Sequence, residues 1–184
     1  MRIKIKGIVI ELKYMLIVLI ILTIISEKTR NFLYYYIACY MFVMFHEFSH
    51  ILVASIFRYK CRRVELSICG MSANIELGKN IMKNVLIFLA GPMSNIILAI
   101  IFYNNQFIFS INVVLAVVNL LPIYPLDGYR IKKALGIKNQ FVEYITYFLL
   151  FILFIITKNL SIIIFLVYII LLKISAFNND KYHC

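Results

Sequence analysis

Apolar residues gather into six long runs, roughly 8 to 25, 31 to 57, 81 to 103, 107 to 126, 141 to 157 and 160 to 177. A helix needs roughly 20 apolar residues to cross a bilayer, so all six are expected to be helical and membrane-spanning. The first carries Glu11 and Lys13 near one end and the sixth carries Lys173 in a similar position, where long side chains reach the headgroups. Between the second and third runs, CRRVELSICGMSANIEL (61 to 77) alternates apolar and polar residues around Gly70. That period of two predicts a short β-hairpin, whose strand edge can pair with an extended peptide. The pattern as a whole predicts an all-α polytopic membrane protein with about six transmembrane helices and a short β-hairpin between the second and third.

Composition agrees with that picture. The chain is 64% hydrophobic and 15% charged over 184 residues, with a mean hydropathy of +0.94, which excludes a soluble domain with a polar skin. The apolar runs are too many for a signal peptide plus a mature domain, and no small-residue cleavage site follows the first, so the N-terminus is expected to be retained. No repeat, low-complexity tract or long polar segment divides the chain, and residues 1–184 are expected to form a single domain.

The basic excess, 19 Lys and Arg against 8 Asp and Glu, falls between the apolar runs and forms no stripe, which argues against nucleic acid as a partner. With six spans, every Lys and Arg except Lys28, Arg30 and Lys158 falls on one side. The positive-inside rule then puts both termini in the cytosol. Cys39, Cys61, Cys69 and Cys184 show no CxxC spacing and read as ordinary thiols rather than a disulfide framework or a cysteine metal site.

The second run holds FVMFHEFSHILVA. His46 and His50 lie one helical turn apart on one face, so both can bind one Zn²⁺, while Glu47 sits beside them to take a proton from zinc-bound water. A five-residue match is weak evidence in a soluble protein. In a membrane span each ionised group costs about 2.5–3.5 kcal/mol on insertion scales, so charges kept there usually have work to do. The motif lies past the middle of its run towards Arg58, so the site should open to the cytosol.

A hydrolytic zinc needs a third protein ligand and an open position. Asp127 in NLLPIYPLDGYRI is the leading candidate, because Pro122 and Pro125 prevent a regular helix and Gly128 permits a tight turn after the aspartate. Broken backbone at membrane depth implies a protein-lined or wet cavity; a helix-ending loop facing the cytosol is the plainer alternative. Asn119 can hydrogen-bond freed carbonyls or a substrate backbone, or simply bridge two helices.

HEFSH on one run and NLLPIYPLDG on a later one resemble, in content and order, the two signature segments of the site-2 protease family. A third family element, GPxxN, is matched by Gly91, Pro92 and Asn95 within AGPMSN; by itself it reads as a kinked helix. The short six-span form resembles the bacterial stage IV sporulation protein FB group over nearly the whole chain. The resemblance implies an intramembrane zinc metalloprotease of a bacterial cell membrane that cleaves a membrane-spanning or membrane-associated protein, such as a pro-sigma factor in sporulation. It implies one Zn²⁺ held by His46, His50 and Asp127, with Glu47 as catalytic acid and base and Asn119 as a site-organising amide. An inhibitory membrane partner follows by analogy with the group.

The resemblance has two departures. The usual DGG reads Asp127, Gly128, Tyr129, and the usual HExGH has Ser49 in place of glycine. Ser49 is compatible with a helix, and Tyr129 is expected to narrow the entrance. No PDZ or CBS domain is expected. Two other classes stay open: a zinc transporter, which would need ligands on several spans, and a catalytically silent membrane adaptor, against which the intact Glu47 argues. His183 is the only other histidine, and a frayed terminus is its simpler explanation.

Overall fold

The computed structural model describes residues 2–5, 8–12, 27–67 and 70–181. These form four strands, β1 (Arg2–Ile5), β2 (Ile8–Leu12), β3 (Cys61–Ser67) and β4 (Gly70–Ile75), and six helices, α1 (Glu27–Ile56), α2 (Ile81–Ile101), α3 (Gln106–Asn119), α4 (Asp127–Ala134), α5 (Phe141–Thr157) and α6 (Leu160–Lys181). The chain divides into two compact units, residues 1–117 and 118–184.

In the first unit the predicted hairpin is present as β3 and β4, antiparallel with Ser67 opposite Gly70. It belongs to a larger sheet of order β1-β2-β3-β4. This corrects the first apolar run: residues 8 to 12 are a strand, pairing antiparallel with β1 and parallel with β3. Arg2, Ile3, Lys4 and Ile5 already alternate, and Ile8, Val9 and Ile10 are β-branched, so a neighbouring strand edge wins over helix in this stretch. The rest of that run, 13 to 26, lies outside the described residues. By joining β2 to β3 the sheet holds the N-terminal segment beside the 61–75 segment.

Helix α1 has 30 residues and α2 has 21, roughly 45 and 32 Å at 1.5 Å per residue. Among the described residues, Tyr34–Ile56 and Ile81–Ile101 are long and apolar enough to cross a membrane, and α3, α5 and part of α6 are shorter apolar helices. Large apolar side chains such as Phe48, Leu52, Ile97, Phe148 and Ile164 are exposed along them, a surface suited to lipid and unsuited to water. α1 ends where Arg58 turns left-handed at φ 62°, and its last turn closes through Tyr59 N–H donating to Ala54 O at 2.8 Å. Asn80 caps α2, its side chain accepting from Lys83 N–H at 3.1 Å.

One face of α2, comprising Ile87, Phe88, Gly91, Pro92, Asn95 and Ala99, is buried. Among the described side chains of α1, the buried positions are His46, His50 and Ala54, four residues apart. Gly91, Ala99 and Ala54 are small, which lets the two helix backbones approach closely, as helices do in lipid.

In the second unit, residues 120 to 126 are irregular. This shortens the fourth apolar run, whose helix ends at Asn119; the two prolines leave the backbone without donors. The stretch is held by short bonds, with Leu126 N–H donating to Ile123 O at 3.0 Å, and Ile123 is fully buried. Residues 127 to 134, which follow the fourth apolar run, form α4. Lys132 and Lys133 in its last turn suit the negative end of the helix dipole.

Three helices of this unit share one ionic cluster. Lys132 on α4 donates to Glu143 Oε1 at 2.5 Å, and Lys173 on α6 donates to Glu143 Oε2 at 2.7 Å. Glu143 and Lys132 are buried, so stripping Glu143 from this set would leave a buried ammonium without its anion, at about 3–5 kcal/mol.

Candidate metal site

His46 and His50 bury themselves on the face of α1 that meets α2, at 3% exposure each. Their ring centroids are 4.9 Å apart at 81°, and their Nε2 atoms face each other at 3.2 Å. Both Nδ1 atoms meet oxygen acceptors on α2: His46 Nδ1 lies 2.5 Å from Asn95 Oδ1, and His50 Nδ1 lies 2.6 Å from Ile87 O. A carbonyl oxygen only accepts, so each Nδ1 carries a proton, and in the neutral imidazole the lone pair is then on Nε2. Two lone pairs pointed at one another repel, and a cation between them converts that repulsion into two ligand bonds. The donor set therefore fits a metal ion, with the hydrogen bond on the far nitrogen of each ring that metal-binding histidines normally have.

Gly91 makes this possible. A Cβ on Gly91 would stand 2.4 Å from His50 Nε2 and 2.5 Å from His46 Nε2. No side chain fits there, so the glycine of the GPxxN element gives the two imidazoles their space.

Glu47 follows His46 on α1 and is half-buried. Ser49, the departure from HExGH, donates its Oγ–H to Phe45 O at 2.8 Å, and α1 runs unbroken through it.

In the second unit, Asp127 occupies the first turn of α4, preceded by Leu126 in extended backbone. A carboxylate suits that positive end of the helix. Asp127 is 5% exposed, with Arg130 Nη1 3.8 Å away one turn on. Gly128 is helical and makes no tight turn, which corrects the expectation. Its role is close approach, because a Cβ there would sit 2.1 Å from Leu120 O and 2.6 Å from Leu121 O. Tyr129 stacks edge-on with Tyr124 at 5.7 Å and lies under the Lys132 ammonium, 5.7 Å from its ring centroid. Asn119, the last residue of α3, is half-buried.

Among the described residues, His46, His50 and Asp127 are buried side chains, each offering one atom suited to a metal. His183, Cys69 and Cys184 lie outside the described residues. Cys39 and Cys61 are free thiols, and burial pushes the Cys61 thiol up, which keeps it protonated and a poor ligand.

Sequence reasoning missed the support behind the histidines. Asn95 and Asn112, both fully buried, join through Asn95 Nδ2 donating to Asn112 Oδ1 at 2.8 Å. The signal for Asn95 was present in the GPxxN match; Asn112 sits in an apolar run as one more polar residue.

No protein-family profile matches the chain, and no curated protein does. Among solved structures, the fold is similar to that of the site-2 protease from Methanocaldococcus jannaschii. The TM-score is 0.60 and the identity 23%, over 92% of this chain and 91% of that one.

Proposed function

We propose that this chain is an intramembrane zinc metalloprotease of the site-2 protease family, acting as one protease domain on a membrane-spanning or membrane-associated protein. The observation that carries the reading is the buried histidine pair, with its two Nε2 atoms 3.2 Å apart on a helix able to cross a membrane. The HExxH spacing with Glu47 beside the pair and the likeness in fold to a site-2 protease support it.

In this reading His46 and His50 hold the metal through Nε2, and Asp127 is the third ligand. When bound, zinc supplies Lewis-acid polarisation of the scissile carbonyl and lowers the pKa of water towards 7. Glu47 takes a proton from the attacking water and delivers it to the leaving amine. The Asn119 amide holds substrate backbone. A helix hides its carbonyls in its own hydrogen bonds, so the cleaved segment must be extended or locally unwound. β4, at one edge of the sheet, is the strand that we assign to pairing with it.

Both termini are cytosolic by the charge count, and the site opens to that side. We place the protein in a bacterial cell membrane. Its substrate class extends to pro-sigma factors of the sporulation kind, with control by an inhibitory membrane partner.

The test is cleavage of a single-span membrane reporter, carrying helix-weakening residues in its span, by the full chain reconstituted in vesicles. Cleavage should stop with 1,10-phenanthroline and return on adding zinc. Cleavage that survives complete metal removal would rule out a metalloprotease.

A further inference from the structure

We infer that Asn112 is a positioning residue that sets the tautomer of His46, with the proton on Nδ1 and Nε2 as the nitrogen that binds metal. This inference deepens the metal-site assignment and rests on it. Its starting point is the far end of a hydrogen-bonded chain, Ile108 O, a backbone carbonyl that can only accept. Asn112 Nδ2 donates to it at 2.9 Å. An amide has one nitrogen and one oxygen end, so Asn112 must turn Oδ1 the other way, where it accepts from Asn95 Nδ2 at 2.8 Å. Asn95, oriented in turn, presents Oδ1 to His46 Nδ1 at 2.5 Å. The proton of His46 therefore sits on Nδ1 and the lone pair on Nε2.

Reversing either amide would set oxygen against oxygen or nitrogen against nitrogen. Both amides are 0% exposed, so no water can relieve the mismatch. His50 is oriented by a separate device, the Ile87 carbonyl at 2.6 Å. The two ligands are thus fixed independently, and His50 serves as an internal control for His46. A pair of amides that only glued α2 to α3 would need no particular direction. Here the direction propagates from a carbonyl on α3 to a ligand on α1.

The experiment uses the full chain with ¹⁵N-labelled histidine in detergent micelles, at about pH 8, above the ordinary range of an imidazole, first metal-free and then titrated with zinc against a chelator. Metal-free wild type should show both His46 and His50 protonated at Nδ1, the tautomer that a free histidine side chain disfavours. In Asn112→Leu, His46 should lose that form while His50 keeps it, and zinc affinity should fall by about 10–100-fold, the usual effect of removing such a support. Asn112→Asp should restore both. Its buried carboxyl stays neutral, so its O–H can donate to Ile108 O while its C=O accepts from Asn95.

His46 unchanged in Asn112→Leu overturns the inference, even if zinc affinity falls. A joint shift of His46 and His50 in both Asn112→Leu and Asn112→Ala also overturns it, because the amides would then be holding helices rather than one ring. Wild type that takes up no zinc overturns the metal-site assignment alone, since the tautomer is read without metal.

Discussion

Gly91→Ala is expected to abolish metal uptake while leaving the chain helical. The Cβ would enter the space between the two imidazoles, 2.4 Å from His50 Nε2, 2.5 Å from His46 Nε2 and 2.6 Å from His50 Cε1. Real Cβ atoms do not approach so closely, so either α2 moves outward or the imidazoles turn away. An outward shift of α2 would carry Asn95 and the Ile87 carbonyl with it, and both rings would lose their Nδ1 acceptors. Turning the rings instead would point their Nε2 atoms away from each other. Either way the pair of lone pairs is lost, and bound zinc should drop from about one per chain to near zero. Ser94→Ala is the matched control, because Ser94 Oγ only donates to Gly91 O of its own helix at 2.7 Å. Circular dichroism on both variants reports whether the helices persist. Full zinc in folded Gly91→Ala would mean that the metal does not sit between His46 and His50.

Glu47→Gln should leave zinc in place and lower reporter cleavage by about 10²–10⁴-fold, the usual contribution of a positioned acid–base group. Glutamine matches glutamate in size and cannot accept a proton at neutral pH. Glu47 is next to His46 and about 100° further around α1, so it stands beside the histidine pair rather than within it. The loss should appear in kcat with KM little changed, because the proton is transferred only in the transition state. If Glu47→Gln cleaved as fast as wild type, another residue would have to be the base. If it lost zinc, Glu47 would be a ligand.

The helix that carries the histidine pair was legible because its pattern is local. His46, Glu47 and His50 stand within five residues, and a single helical turn makes them neighbours whatever else the chain does. The hairpin was legible for the same reason, since its period of two surrounds a glycine. Pro122 and Pro125 announced the break before Asp127, although the helix that begins at Asp127 was hidden: DGYRIKKA is too short and polar to look like anything but loop. The strand at Ile8–Leu12 was hidden because a β-branched run reads equally as the start of an apolar helix, and its pairing with β1 and with the distant β3 decides between them.

The supporting shell was not legible, for a physical reason. Asn95 reaches His46 across 49 positions of sequence and Asn112 across another 17, and no local pattern encodes such a pairing. Glu143 likewise meets Lys132 and Lys173 across 11 and 30 positions. Gly91 and Gly128 carry no side chain to suggest chemistry, and their role shows only when the group that fills their missing Cβ is seen.

The most direct measurement is zinc per chain, by elemental mass spectrometry on detergent-purified protein, for wild type and Asp127→Ala side by side. About one zinc in wild type, lost in the variant, is the predicted result, and it needs no knowledge of the substrate. Two or more zinc ions per chain would favour a transporter. No bound zinc in well-folded wild type would contradict the protease account, and zinc retained in Asp127→Ala would contradict Asp127 as the third ligand.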